Sequence, residues 1–101
     1  MVLEINENEF DEKMEGKCLV DFFTTWCGPC KMLSQVIDEV SEEIEGVSFY
    51  KIDVDENVEI GSEFSIMSVP TLILFENGKP INRTSGFMNK EKLKEFIDKK
   101  N

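Results

Sequence analysis

Cys18-Leu19-Val20-Asp21-Phe22-Phe23-Thr24-Thr25-Trp26-Cys27-Gly28-Pro29-Cys30 runs an apolar segment into two cysteines three residues apart. Between Cys18 and Phe23 every position except Asp21 is apolar. That is the pattern of a central strand covered on both faces, as strands of parallel sheets are. The cysteines follow where such a strand hands over to a helix. Positions three apart on a first helical turn share a face, with Cα atoms near enough for a disulfide to open and close without moving the backbone. The unsatisfied N–H groups and the positive end of the macrodipole favour thiolate over thiol there, which makes Cys27 a nucleophile near neutral pH. Cys30, one turn in, has a shielded sulfur better placed to resolve a mixed disulfide than to start one. Gly28 and Pro29 are in part turn chemistry, because proline fits a first turn without forfeiting a helical bond. A zinc site or two core thiols are the rival readings of the pair, but zinc wants four ligands and only Cys18 and acidic side chains remain.

Outward from this junction, strand and helix signals alternate without repeat or linker. Val2 to Ile5 alternates as a first strand, and Asn6 with Glu9 reads as a cap opening a helix through Met14, which Gly16 ends. After the cysteines, Met32, Leu33, Val36, Ile37, Val40 and Ile44 recur at helical spacing until Gly46 stops the pattern. Val47 to Val54 reads as the next strand, and the strand, helix, strand order implies a right-handed crossover with parallel pairing. A short helix is expected around Val58 to Phe64. Thr71 to Phe75 and Ile81 to Ser85 flank Glu76-Asn77-Gly78-Lys79, and Asn-Gly between such runs predicts an antiparallel hairpin. Asn89 caps a last helix with Leu93, Phe96 and Ile97 inward and lysines at its C-terminal end, where they suit the dipole.

The chain has 101 residues, enough for a single domain spanning 1–101 with one core and no staples. Three cysteines cannot make a paired disulfide framework, so a reducing, cytoplasmic setting is expected. The start lacks a basic region followed by a long apolar stretch, and no window approaches a membrane-spanning length. The expected chain is soluble and unexported. With 21 acidic and 11 basic side chains the net charge is −10, which repels nucleic acid and favours solubility. The absence of histidine removes any Cys/His or Ser/His pair, so general base work falls to a carboxylate. Asp21, flanked by Leu19, Val20, Phe22 and Phe23, is either a buried carboxylate or an outward-facing one at a strand end. Neither a G-x-G-x-x-G nor a P-loop is present, so no nucleotide, flavin or metal cofactor is expected.

Val20-Asp21-Phe22, Trp26-Cys27-Gly28-Pro29-Cys30-Lys31-Met32, Val69-Pro70-Thr71, Asn77-Gly78 and Gly86 together resemble the thioredoxin family across nearly the whole chain. The resemblance implies an α/β thioredoxin fold: a central mixed five-stranded sheet in the order 1-3-2-4-5, flanked by four helices. It implies a protein disulfide reductase and a cis peptide bond before Pro70, opposite the cysteines. Pro70 would otherwise be an ordinary turn proline, since about 5% of X–Pro bonds are cis in folded proteins. Val69 would then have its backbone free to pair with an extended substrate like an added strand. Trp26, Pro29, Met67, Val69 and Phe87 would form an apolar surface around the Cys27 sulfur, with Gly86 beside it. Gly28-Pro29 is associated in the family with a reducing potential. Asp21 looks like the family's buried base, whose pKa desolvation would raise, and Lys51 matches a lysine close to it. For Lys51 a side chain snorkelling to the surface is the alternative.

The expected protein is therefore an oxidoreductase cycling a Cys27/Cys30 dithiol and disulfide, acting as a monomer on disulfide-containing protein substrates. Thioredoxin reductase or an equivalent electron donor would return two electrons to it. The competing class is a thioredoxin-fold binding or scaffold subunit of a larger assembly. Cys18 reads as a small, partly exposed strand residue without a catalytic role. Two departures from the family pattern are Gln35, where many members have a helix-kinking proline, and Phe23, which replaces a second tryptophan.

Overall fold

The computed structural model describes residues 1–99. One five-stranded sheet in the order β1-β3-β2-β4-β5 organises it. β2 (Lys17–Phe23) is central, paired in parallel with β3 (Val47–Asp53) and antiparallel with β4 (Thr71–Glu76). β1 (Val2–Glu4) joins the far edge of β3 in parallel, and β5 (Lys79–Ser85) closes the other edge antiparallel to β4. The helices are α1 (Phe10–Lys13), α2 (Gly28–Glu43), α3 (Val58–Glu63) and α4 (Lys90–Ile97).

Both faces of the sheet are covered, for the reason visible in β2. Cys18, Val20 and Phe22 point into one core with Phe10, Met14, Ile60 and Phe75, under α1 and α3. Leu19 points into the other, with Leu33, Ile37, Val40, Leu93 and Phe96 of α2 and α4. Period-2 alternation puts Asp21 on that second face, towards α2. The first core is aromatic: Phe10, Phe64 and Phe75 pack with ring centroids 5.3–5.5 Å apart. On the second face, Glu43 binds both Lys90 and Lys94 and ties α2 to α4 at an exposed seam.

The local signals act as read, with boundary shifts that have physical causes. Asn6 and Glu9 exchange side chain to backbone bonds of 2.9 and 3.1 Å, but this box closes a turn, and regular helix starts only at Phe10. Asn77 and Gly78 both have positive φ, as a two-residue hairpin of this type needs, and Asn77 exchanges two 2.8 Å bonds with Gly16. β5 begins earlier than expected, at Lys79, because its edge position tolerates Pro80; the register slips between Leu74 and Phe75 to absorb one residue. Met32, expected on the buried stripe of α2, is 59% exposed. The buried stripe runs through Cys30, Leu33, Ile37 and Val40, and Met32 lies about 100° around the helix from Leu33, on its flank. Cys18, expected to be partly exposed, is 0% exposed, since β2 is covered on both faces along its length. Asn89 caps α4, its side chain accepting from the Lys92 amide at 2.9 Å. Of the lysines expected beyond that helix, Lys100 lies outside the described residues.

α3 ends in a device the sequence did not advertise. Ile66 N–H donates to Gly61 O at 2.8 Å and Ser65 N–H to Ser62 O at 3.1 Å, the paired bonds of a Schellman cap. Its left-handed residue is Ser65, φ +52°, where glycine is the usual choice. The Arg83 guanidinium of β5 donates to the freed carbonyls of Phe64 and Ser65. Since those acceptors are backbone oxygens, Ser65→Gly keeps every bond and removes the strain. It should raise stability by about 0.5–1 kcal/mol in urea melts.

Candidate active site

The end of β2 projects the chain past the sheet edge at Thr24, and α2 begins four residues later. Cys27 is the helix N-cap, in extended conformation, and its sulfur accepts from the Cys30 amide at 3.1 Å. A thiol thus occupies the place of the usual Ser or Asp oxygen. An amide aimed at a sulfur, together with the helix dipole, stabilises a thiolate there once the bond to Cys30 is reduced. Cys27 and Cys30 are disulfide-bonded, with Cα atoms 5.3 Å apart. Both are nearly buried, at 4% and 3% exposure, so burial alone does not separate their roles.

What separates them is the space each faces. Cys27 lines an open groove of about 460 Å³ with Trp26, Gly28, Pro29, Met67 and Val69. The Val69 carbonyl lies 3.7 Å from the Cys27 sulfur, and the Val69–Pro70 bond is cis. Trp26 is 71% exposed on the rim, its indole N–H donating to Asp55 at 2.7 Å. Gly86 has φ +90°, and its N–H donates to Pro70 O at 2.9 Å, which holds the end of β5 against the cis proline. Phe87 follows it and is exposed, but it is not among the residues lining the groove. Asp55, Val54 and Ile66 do line it and were not singled out from sequence; Asp55 reads there as one acid among 21.

Cys30 instead lines a cavity of about 360 Å³ on the α2 side, with Asp21, Thr24, Ser34 and Lys51. Asp21 is 2% exposed, which decides between the two readings of this carboxylate. One of its oxygens, and the buried hydroxyl of Thr24, have no hydrogen-bond partner among the described residues. Burial pushes the Asp21 carboxyl up from 3.8 to about 7, against the weaker pull of the Lys51 charge. Lys51 pairs with Asp21 in the strand register but makes no ion pair with it among the described residues. Its ammonium sits 5.7 Å from the centroid of the Phe23 ring. A lysine over the ring of the strand's last residue combines both readings offered by the sequence: near the carboxylate, yet reaching outward. Among the described residues, no three His, Cys, Asp or Glu side chains are gathered to hold a metal ion.

The thioredoxin family model matches residues 1–99. The chain belongs to the thioredoxin family. Thioredoxin of Staphylococcus aureus is 44% identical over 100 residues, covering 97% of this chain and 96% of that relative. A mutant thioredoxin from Halobacterium salinarum superposes with a TM-score of 0.89 at 34% identity, over 96% of this chain and 88% of that one. The Malassezia sympodialis thioredoxin gives 0.86 at 36% identity, with the same coverage. With the Cys27–Cys30 pair seated at the family's helix start, the protein is a thiol-disulfide oxidoreductase, and its thioredoxin fold is the one implied by the sequence motifs. Family membership also implies disulfide substrates and a reductase in general terms.

The Asp21 environment has a stability consequence. Between pH 3.8 and about 7 the unfolded chain has lost a proton that the folded protein keeps, so stability falls as pH climbs through that window and stays lowered above it. A gap of this size corresponds to about 4 kcal/mol. Asp21→Asn removes the ionisation and should stabilise the oxidised protein at pH 8 by up to about 4 kcal/mol, with no gain below pH 4. Urea melts at the two pH values check it; equal gains at both would mean that packing, not charge, is responsible.

Proposed function

We propose that the chain works as one thioredoxin domain over residues 1–101, a monomeric cytoplasmic electron carrier that reduces protein disulfides. The Cys27 thiolate attacks one sulfur of a target disulfide; a Cys27–target bond forms and the other target sulfur leaves and takes up a proton. Cys30 then attacks the Cys27 sulfur, releasing the second target thiol and leaving the Cys27–Cys30 disulfide. Two electrons have passed to the target. Thioredoxin reductase or an equivalent donor returns them.

The observation that carries this assignment is that the two sulfurs face different spaces, Cys27 the open groove and Cys30 the Asp21 cavity. The first is rimmed by exposed apolar side chains suited to a target, and the second holds the buried carboxylate. Asp21, held protonation-competent near neutral pH, takes the Cys30 proton directly or through water as that thiol turns nucleophile. Lys51 tunes Asp21 by its charge. Gly28 and Pro29 set the reducing potential through the helix start they build. Trp26, Met67, Val69 and Pro70 receive the target segment, with the Val69 backbone pairing to it as an added strand. Gly86 holds that wall in place, and Phe87 extends the apolar rim beyond the groove. A purely structural role would leave this pairing of groove, amide-capped sulfur and buried carboxylate without use.

Two substitutions separate the thiols. Cys30→Ser should accumulate mixed disulfides with oxidised insulin, visible by mass spectrometry, whereas Cys27→Ser should form none. Equal trapping by both variants would reverse or erase the assignment. With dithiothreitol as electron source, the unaltered protein should accelerate insulin reduction, which a scaffold subunit would not do.

A further inference from the structure

Thr71, Asp53 and Asn57 are buried polar side chains with partners. The Thr71 hydroxyl donates to Ser68 O at 2.7 Å, Asp53 accepts from the Asp55 amide at 2.9 Å, and Asn57 donates to Asp53 O and accepts from the Glu7 amide. Two buried polar groups stand apart from these: an oxygen of Asp21 and the hydroxyl of Thr24 have no hydrogen-bond partner among the described residues. Thr24 is 3% exposed, so bulk water does not satisfy it. A buried hydroxyl without a partner is unfavourable, and valine fills the same volume without that cost. The threonine therefore answers a need other than packing.

Its position says what that need is. Among the described residues Thr24 is the one that lines both the groove holding Cys27 and the cavity holding Cys30. Asp21, with its own unpartnered oxygen, lines that same cavity. The charged and titratable groups around the cavity are Asp21 from β2, Cys30 and Lys31 from α2, and Lys51 from β3. On the groove side they are Cys27 and Asp55, and the segment before β4 brings none. The Lys51 ammonium lies over the Phe23 ring, and Lys31 is exposed. A buried water is held where roughly two to four polar partners converge, and this cavity of about 360 Å³ has room for one. Asp21 offers an acceptor, the Thr24 hydroxyl a donor and an acceptor, and the Cys30 thiol a donor. Together they complete the set.

We propose that Thr24 is a positioning residue for the resolving step: its hydroxyl and the Asp21 carboxyl hold one water against the Cys30 sulfur, and the thiol proton leaves through it. The proposal rests on the reading of Cys30 as the resolving thiol and of Asp21 as its proton acceptor. In the Cys27–target mixed disulfide, the Cys30 thiol passes its proton to the water, which passes one to ionised Asp21. The Cys30 sulfur bonds to the Cys27 sulfur as the Cys27–target bond breaks. The electron pair of that bond leaves on the target sulfur, which takes a proton from solvent in the groove. The two cysteines are oxidised, the target is reduced, and the water is unchanged. Asp21 gives its proton back when the disulfide is next reduced.

Stopped flow reads the two steps apart. Reduced protein is mixed with excess dithiobisnitrobenzoate, which releases one coloured thiolate when Cys27 attacks, in a phase that scales with reagent concentration. A second is released when Cys30 resolves, in a phase that does not. Thr24→Val exchanges hydroxyl for methyl and should slow the second phase about tenfold at pH 7 while leaving the first unchanged. Thr24→Ser keeps the hydroxyl and should stay within about twofold of the parent. The valine variant loses the route to Asp21 but no charge, so its second phase should follow ionisation of the Cys30 thiol to solvent, and the gap should close by about pH 10. A packing defect would not close. In an Asp21→Asn background the valine exchange should slow the second phase no further. Equal slowing of both phases, a gap that persists at pH 10, a serine variant as slow as the valine one, or an additive loss in the Asp21→Asn background overturns the proposal. So does an unchanged second phase in Thr24→Val, or in Thr24→Ala should the valine variant fail to fold. Unaltered resolution in Asp21→Asn itself would instead remove the underlying reading of Asp21, and a missing second phase in the parent would remove that of Cys30.

Discussion

The amide of Cys30 pointing at the Cys27 sulfur is the contact on which the chemistry of this protein depends. It exists because β2 ends at Phe23 and α2 starts at Gly28, so that the connecting residues must turn and Cys27 falls on the N-cap. A helix start always carries amides without partners, and a sulfur placed there accepts one. The same contact that caps the helix in the oxidised protein favours the thiolate in the reduced one. Structure and reactivity thus share a single hydrogen bond. The sheet supplies its rigidity: β2 is flanked on both sides and packed on both faces, leaving the junction little freedom to drift.

Asp21 shows the cost of placing a titratable group in such a setting. A leucine in its place would suit the α2-facing core, where Leu19, Leu72 and Leu74 already sit. The carboxylate instead loses its water and keeps an oxygen unpartnered, and its proton is held to about pH 7. A domain with a total stability of about 5–15 kcal/mol bears a penalty of this size only where something else requires it. On the proposed mechanism the cavity it shares with Cys30 supplies that requirement, because a resolving thiol must lose a proton there.

The opposite side of the disulfide is built from segments distant in sequence. Trp26 is pinned by Asp55, the loop around Met67 is anchored by Arg83 through the carbonyls of Phe64 and Ser65, and Pro70 is held by the Gly86 amide. Each anchor is a polar bond to a backbone or side-chain group at the rim. The apolar faces of Trp26, Val58 and Met67 are thereby left exposed on this side of the disulfide.

Much of this was legible in the chain itself. The apolar run before Cys27 marked a doubly covered strand, Asn77-Gly78 marked the hairpin, and the spacing of Leu33, Ile37 and Val40 marked the buried stripe of α2, because each is set by local geometry and a period of two or 3.6 residues. Family motifs supplied the strand order. What local pattern could not settle was where each side chain ends relative to elements far along the chain. Met32 borders the apolar stripe of α2 yet lies on its exposed flank, and Cys18 is wholly buried. Asp21 could have faced water, since alternation fixes a face but not what packs on it. Asp55 meets Trp26, and Val54, Gly61 and Met67 frame one groove, only because β3, α3 and the loop after it converge on the end of β2. The sequence determined the elements and the reacting pair through short-range geometry; the tertiary structure alone decided which space each sulfur faces, because that depends on surfaces brought together across the sheet.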